Sequence, residues 1–109
     1  MTDELQVYSS SGNVFEDLGL PNSDELLIKA QLAHQISELI EMRHLTQSDA
    51  AKLLGVDQPK VSELMRGKLS GFSIDRLFRF LNALGSNVEI RITPNLKPNL
   101  QAETQIVAI

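Results

Sequence analysis

Polar side chains of several kinds follow one another over residues 58–68, with donor and acceptor groups suited to nucleic acid. The amide of Gln58 presents a donor and an acceptor that match the major-groove edge of adenine, and the ammonium of Lys60 matches guanine. Ser62 can contact more than one base, whereas Glu63 either accepts a hydrogen bond from cytosine or is a solvated surface acid. This segment therefore offers the chemistry of base-edge recognition. The candidate contacts within it are Gln58, Pro59, Lys60, Ser62, Glu63, Arg66 and Lys68.

Two short helices with a tight turn between them are predicted to position these side chains. Thr46 begins the first helix, because its hydroxyl can accept the backbone N–H three residues on. Gly55 provides the left-handed residue that ends this helix. Asp57 caps the second helix, whose first turn tolerates Pro59 because an N–H there has no intrahelical partner. Gly67 ends the second helix.

Small and apolar residues fall where two such helices would press together. Ala51 allows a close crossing, and Val61 and Leu64 are expected to turn inward from the second helix. Val56 is expected to fill the corner beside Gly55. These spacings together predict a helix-turn-helix, in which the N-terminal half of the second helix enters the major groove of DNA. The other residues expected to face the core are Leu53 and Leu54.

Phosphate contacts are expected at both ends of this motif. At the start of the first helix, Gln47 and Ser48 join unsatisfied backbone N–H groups that favour an anion. Arg66 and Lys68 flank the end of the second helix and are expected to bind phosphate as well. The motif holds four bases against three acids, which gives +1 and predicts modest affinity per monomer. So weak a charge also leaves open a motif that no longer binds DNA.

Further periodic segments flank the motif. An apolar stripe predicts a long helix over residues 23–44, and a second stripe predicts a helix between Ser73 and Gly85. Phe80 lies off this second stripe, either at the edge of the core or against another molecule. Residues 87–93 change to a period of two, which predicts a half-buried strand.

The predicted strand implies a second copy of the chain. A lone strand with one apolar face is unstable, so it needs either residues 5–8 or the same strand of another molecule. If two copies pair antiparallel about Ile90, Glu89 lies opposite Arg91 of the second copy, at about 0.2–1 kcal/mol per pair. We therefore expect a homodimer that fits a palindromic operator with half-sites about one helical turn apart. The expected interface residues are Val88, Glu89, Ile90, Arg91 and Ile92.

Composition argues against several other functions. The chain has 109 residues and no cysteine, which excludes disulfides, thiolate metal sites and a cysteine nucleophile. His34, Glu38 and Glu41 share a face of the long helix, but no further ligand is evident, so we expect no metal and no cofactor. No phosphate loop or nucleophile motif is present, so we expect no enzyme. The acidic start lacks an apolar run and no stretch has the length of a membrane helix, which predicts a cytoplasmic protein without membrane contact.

Charge is divided unevenly along the chain. Residues 1–41 carry eight acids and one base, a sum of −7, whereas residues 42–109 carry six acids and nine bases, a sum of +3; together they give −4. This division indicates different partners for the two halves, or else an ordinary mixed surface. An acidic first part would attract a basic protein.

Residues 46–68 (TQSDAAKLLGVDQPKVSELMRGK) resemble the helix-turn-helix of the XRE, or Cro/CI-type, family. Residues 12–19 (GNVFEDLG), Lys29-Ala30 and residues 72–94 (FSIDRLFRFLNALGSNVEIRITP) are similar to HigA-type antitoxins and related small repressors. The resemblance covers residues 12–94 and implies a dimeric repressor of its own operon. It also implies, for many members, neutralisation of a small basic toxin ribonuclease of the HigB/RelE kind.

The helical and strand patterns predict a mainly α fold of about four to five helices with a C-terminal β-strand used for dimerisation, and the resemblance implies that it is a lambda-repressor-like bundle. Residues 1–22 are expected to form an N-terminal extension, residues 23–94 the DNA-binding domain and residues 95–109 a flexible tail. Two functions stay open. One is an autoregulatory antitoxin of a type II toxin–antitoxin pair that represses through operator DNA. The other is a stand-alone transcriptional regulator without a toxin.

Overall fold

Four α-helices make up the regular structure of the described part of the chain. A computed structural model describes residues 22–97 and 102–108, so residues 1–21, including the candidate strand at residues 5–8, lie outside it. The helices are α1 (Ser23–Met42), α2 (Gln47–Leu54), α3 (Gln58–Met65) and α4 (Ile74–Ala83). The prediction of a mainly helical fold is confirmed.

Side-chain caps determine where three of the four helices begin. Thr46 Oγ1 accepts the backbone N–H of Asp49 at 3.0 Å, and Asp57 Oδ1 accepts that of Lys60 at 3.0 Å. Ser73 caps α4 in the same way. Each such cap contributes about 1 kcal/mol to stability. The caps expected at Thr46 and Asp57 are therefore confirmed, and the helix expected after Ser73 begins there.

Left-handed residues end the two short helices. Gly55 follows α2 with φ 75°, and Gly67 follows the last turn of α3 with φ 79°. Both conformations favour glycine because a side chain at positive φ meets the backbone. α1 ends at Met42, two residues earlier than expected, and His44 takes φ 56° beyond it.

The core lies where α1 crosses the other helices. α1 packs against α4 and α3, and α2 packs against both α3 and α4. Aliphatic side chains dominate this core, as expected of a chain with so few aromatic residues. The buried residues are Ile28, Leu32, Ala33, Ile36, Ile40, Ala50, Ala51, Val61, Leu64, Phe72, Leu77, Phe80, Leu81 and Leu84.

Leu53 does not face the core, contrary to expectation, and the residue is 41% exposed. α2 turns Ala50 and Ala51 inward, with Leu54 partly buried beside them. At about 100° per residue, Leu53 then lies roughly a quarter-turn or more away from the centre of the buried face.

The strand predicted over residues 87–93 is not observed. In the single chain, residues 86–97 form no helix and no strand. Val88 still packs against the core, whereas Ile90 is 71% exposed and Ile92 is 91% exposed. A strand requires a hydrogen-bonded neighbour, and the described part of one chain offers none to this segment. The dimer that would provide one stays a prediction.

The C-terminal segment returns to α1. Ile106 packs against the core, and its backbone N–H donates to Gln31 Oε1 at 3.3 Å. This contact gives the apolar side chain of Ile106 a place against the core.

Candidate nucleic-acid interface

Buried side chains fix which face of α3 points outward. Val61 and Leu64 are fully buried, so the inner side of α3 is anchored in the core. At about 100° per residue, the outer face is then centred on Pro59, Ser62 and Arg66. Pro59 and Arg66 are exposed, and Ser62 is half-buried. An outward polar strip on an anchored helix can enter a groove without disturbing the core.

Most of the predicted base contacts share this face. Gln58 is exposed at the start of α3, and Glu63 is half-buried beside the central strip. The guanidinium of Arg66 donates through Nε to the backbone oxygen of Ser62 at 3.3 Å, which draws Arg66 back along the helix. The geometry thus brings Gln58, Pro59, Ser62, Glu63 and Arg66 together on one exposed surface, which we call the recognition face.

Lys60 lies at the edge of the recognition face and folds back from it. Its Nζ atom lies 5.2 Å from the centroid of the Phe72 ring and 3.9 Å from Glu63 Oε1. A cation over an aromatic face is attracted by the ring quadrupole. The charge of Lys60 is therefore directed toward the loop before α4.

The start of α2 lies beside the end of α3. Gln47 Nε2 is 4.0 Å from the sulfur of Met65, a weak contact that joins the first residue of α2 to the last residue of α3. Ser48 is exposed next to it. Lys68 is exposed just after α3, and its backbone N–H donates to the backbone carbonyl oxygen of Glu63 at 2.9 Å. The expected phosphate contacts thus lie at the ends of the two helices.

Aromatic packing beside α3 was not anticipated from the sequence. Phe72 meets Phe80 edge-on, with centroids 6.0 Å apart and planes at 76°. The Arg76 guanidinium lies over both rings, at 5.6 Å from Phe72 and 5.5 Å from Phe80. Phe80 is thus a core residue, which decides between the two positions that the sequence left open. An apolar residue directly before a helix cap often packs on the first turns of that helix, and this signal could have marked Phe72.

Two exposed charge pairs lie on helices outside the recognition face. At the start of α4, hydrogen bonds from Ser73 and Arg79 hold the pKa of Asp75 below its ordinary value of 3.8. His34 Nε2 lies 3.2 Å from Glu38 Oε2 on the exposed side of α1. Among residues 22–97 and 102–108, no three potential ligand side chains group as a metal site would require. No helix in the same residues is long and apolar enough to cross a membrane.

Comparison with known proteins identifies this arrangement. A family model described as a helix-turn-helix domain matches residues 14–93, which is well over half of the chain. The chain therefore belongs to this family, the XRE type of helix-turn-helix proteins.

Two relatives illustrate the similarity. A solved structure that bears the provisional name XRE family transcriptional regulator is 40% identical, with a TM-score of 0.77 over 82% of this chain and 100% of that chain. A Mycobacterium tuberculosis protein provisionally named antitoxin HigA3 is 39% identical over 62 residues. That alignment covers 56% of this chain and 57% of the relative, so it spans little more than half of HigA3.

Proposed function

We propose that the protein is a sequence-specific DNA-binding transcriptional repressor that inserts α3 into the major groove. The observation that carries this proposal is the division of α3 between a buried side, Val61 and Leu64, and the polar recognition face. A helix anchored in this way is the element that helix-turn-helix proteins use to contact base edges. Membership of the XRE-type family supports the same function.

Within this proposal, the residue type decides which part of the DNA each side chain contacts. Gln58 and Ser62 contact base edges, because amide and hydroxyl groups can both donate and accept hydrogen bonds there. Glu63 accepts from a cytosine amino group, and Pro59 makes van der Waals contact in the groove. The phosphate contacts come from Gln47, Ser48, Arg66 and Lys68.

The test measures binding to DNA from upstream of the protein's own gene. Fluorescence anisotropy gives the affinity at each of a series of salt concentrations. Gln58→Ala should weaken specific binding by about 1–3 kcal/mol, roughly 5- to 150-fold, and relax the preference at one base pair. Gln105→Ala is the matched control, because Gln105 is also exposed but lies in the C-terminal segment. Equal affinity of wild type for operator and scrambled DNA would refute sequence-specific binding.

A homodimer is part of the proposal. The uncovered apolar side chains of Ile90 and Ile92 support pairing of residues 87–93 with a second copy, which would supply the missing strand neighbour. Arg91 Nη2 already lies 3.0 Å from Glu89 Oε2 within one chain, so the two charges share a face of this segment. In the antiparallel pairing, Glu89 of each copy would lie opposite Arg91 of the other copy across the two-fold axis.

Charge exchange tests this pairing by light scattering after size exclusion. Glu89→Arg places like charges opposite each other and should favour the monomer, whereas Glu89→Arg together with Arg91→Glu should restore the dimer. A dimer that is equally stable in both variants would refute the proposed register.

A second candidate function is that of an antitoxin that also represses its own operon. The likeness to the protein named HigA3 supports it, as does the acidic charge of residues 1–41, −7, which suits a basic ribonuclease partner of the HigB/RelE kind.

Co-purification with the product of a small basic neighbouring gene tests this candidate. Deletion of residues 1–22 should abolish that complex and spare DNA binding. A deletion variant that still binds the toxin would refute the role of this segment, and absence of any such gene or complex would favour the stand-alone regulator.

A further inference from the structure

The position of Lys60 on α3 separates it from the residues that face the bases. Lys60 lies roughly 100° beyond Pro59 around the helix, at the rim where the recognition face meets the core. When a helix lies in the major groove, its central strip faces base edges and its rims face the sugar–phosphate walls. The position of Lys60 on α3 therefore faces a wall of the groove, and its ammonium group lies beside the loop before α4.

A rigid aromatic ring holds the ammonium group at this rim. Phe72 is only 2% exposed and is fixed edge-on against Phe80. Arg76 lies over the same ring and forms no ion pair within the described residues. The Lys60 Nζ atom, 5.2 Å from the Phe72 centroid, thus rests on a surface that cannot move without disturbing the core.

Gly71 leaves the space that this arrangement needs. A Cβ atom added at Gly71 would lie 2.9 Å from Lys60 Nζ, closer than atoms normally approach. Gly71 is not at positive φ, so backbone conformation does not explain a glycine at this position. The atom that must move is the end of a flexible side chain, so an alanine would displace the ammonium at little cost to folding.

We propose that Gly71 and Phe72 are positioning residues that hold Lys60 against a DNA backbone phosphate rather than against a guanine. Lys60 then contributes affinity without sequence preference, and base recognition is left to the recognition face. This inference rests on the proposed function, because it assigns one contact within the same DNA complex.

The first test compares Lys60→Ala with Lys97→Ala, a matched loss of one exposed lysine outside the motif. For a phosphate contact, Lys60→Ala should reduce the slope of log affinity against log salt by about 0.9 per monomer. Affinities for operator variants with single base changes should fall by one common factor. A normal slope together with relaxed preference at one guanine would overturn the proposal.

The second test asks whether Gly71 acts through Lys60. Gly71→Ala should weaken DNA binding in the wild-type background and have no further effect in the Lys60→Ala background, with Ser70→Ala as the neighbouring control. Thermal unfolding of each variant should stay close to wild type. An equal effect of Gly71→Ala in both backgrounds would overturn the positioning role.

A measurement without DNA separates this inference from the proposed function. In the free protein, the Lys60 ε-methylene protons should show an upfield NMR shift from the Phe72 ring, and Gly71→Ala or Phe72→Leu should remove it. No such shift in wild type would overturn the positioning. A clear shift in a protein that binds no specific DNA would instead refute the proposed function and, with it, the phosphate contact.

Discussion

Substitution of Leu64 by alanine tests how α3 is anchored. Leu64 is 1% exposed and packs in the core beside Val61, on the side of α3 that points away from the recognition face. Alanine removes most of this buried side chain and leaves a cavity between α3 and α1. The recognition face itself is not altered.

The expected loss is large for so small a domain. Leucine-to-alanine changes at buried sites cost about 2–5 kcal/mol, the sum of lost burial and the cavity that stays open. At about 3 kcal/mol, and at roughly 4–8 °C per kcal/mol for 60–100 residues, the melting temperature should fall by about 12–24 °C. Leu53→Ala is the matched control because this leucine is 41% exposed, and the substitution should cost about 1 kcal/mol or less.

Chemical denaturation, monitored by circular dichroism at one protein concentration, measures the free energy of unfolding of both variants. Fixed concentration is needed because a dimer's stability depends on it. A loss below about 1 kcal/mol for Leu64→Ala, or equal losses for Leu64→Ala and Leu53→Ala, would refute the orientation assigned to α3 and with it the recognition face.

Three further outcomes follow from the described contacts. Thr46→Ala removes the cap of α2 and should lower the unfolding free energy by about 1 kcal/mol, measured by denaturation; no loss would show that the cap is replaced by solvent. Because the pKa of Asp75 is lowered in the folded state, its contribution is present at neutral pH and is lost as the pH falls through that lowered pKa. An NMR titration should therefore find the pKa of Asp75 below 3.8, and Arg79→Ala should raise it, while an unchanged value would contradict the ion pair. Phe80→Leu should lower stability without changing the monomer–dimer equilibrium, and a dissociated dimer would instead place Phe80 at the interface.

The sequence was sufficient to predict where the two short helices begin and end. The caps at Thr46 and Asp57 and the left-handed Gly55 depend on residues within a few positions, so their spacing in the sequence determines them. The inward side of α3 was also predictable, because Val61 and Leu64 keep helical spacing relative to the turn.

Three features depend on contacts between distant parts of the chain, or between chains, and could not be predicted from the sequence. The direction of Lys60 depends on Phe72 and Gly71, which belong to the loop after α3 and whose positions no spacing rule gives. The predicted strand at residues 87–93 depends on a hydrogen-bonding neighbour that one chain does not supply within its described part. Ile106 reaches α1 across 75 positions in the chain, a contact with no local signal.

Backbone NMR during titration with duplex DNA from upstream of the gene tests the central claim most directly. Insertion of α3 into the major groove should shift the amide signals of residues 58–68 and of Gln47 and Ser48 at the start of α2. Signals from the exposed side of α1 around His34 and Glu38 should change little. Shifts confined to α1, with α3 unaffected by DNA that binds specifically, would contradict the account.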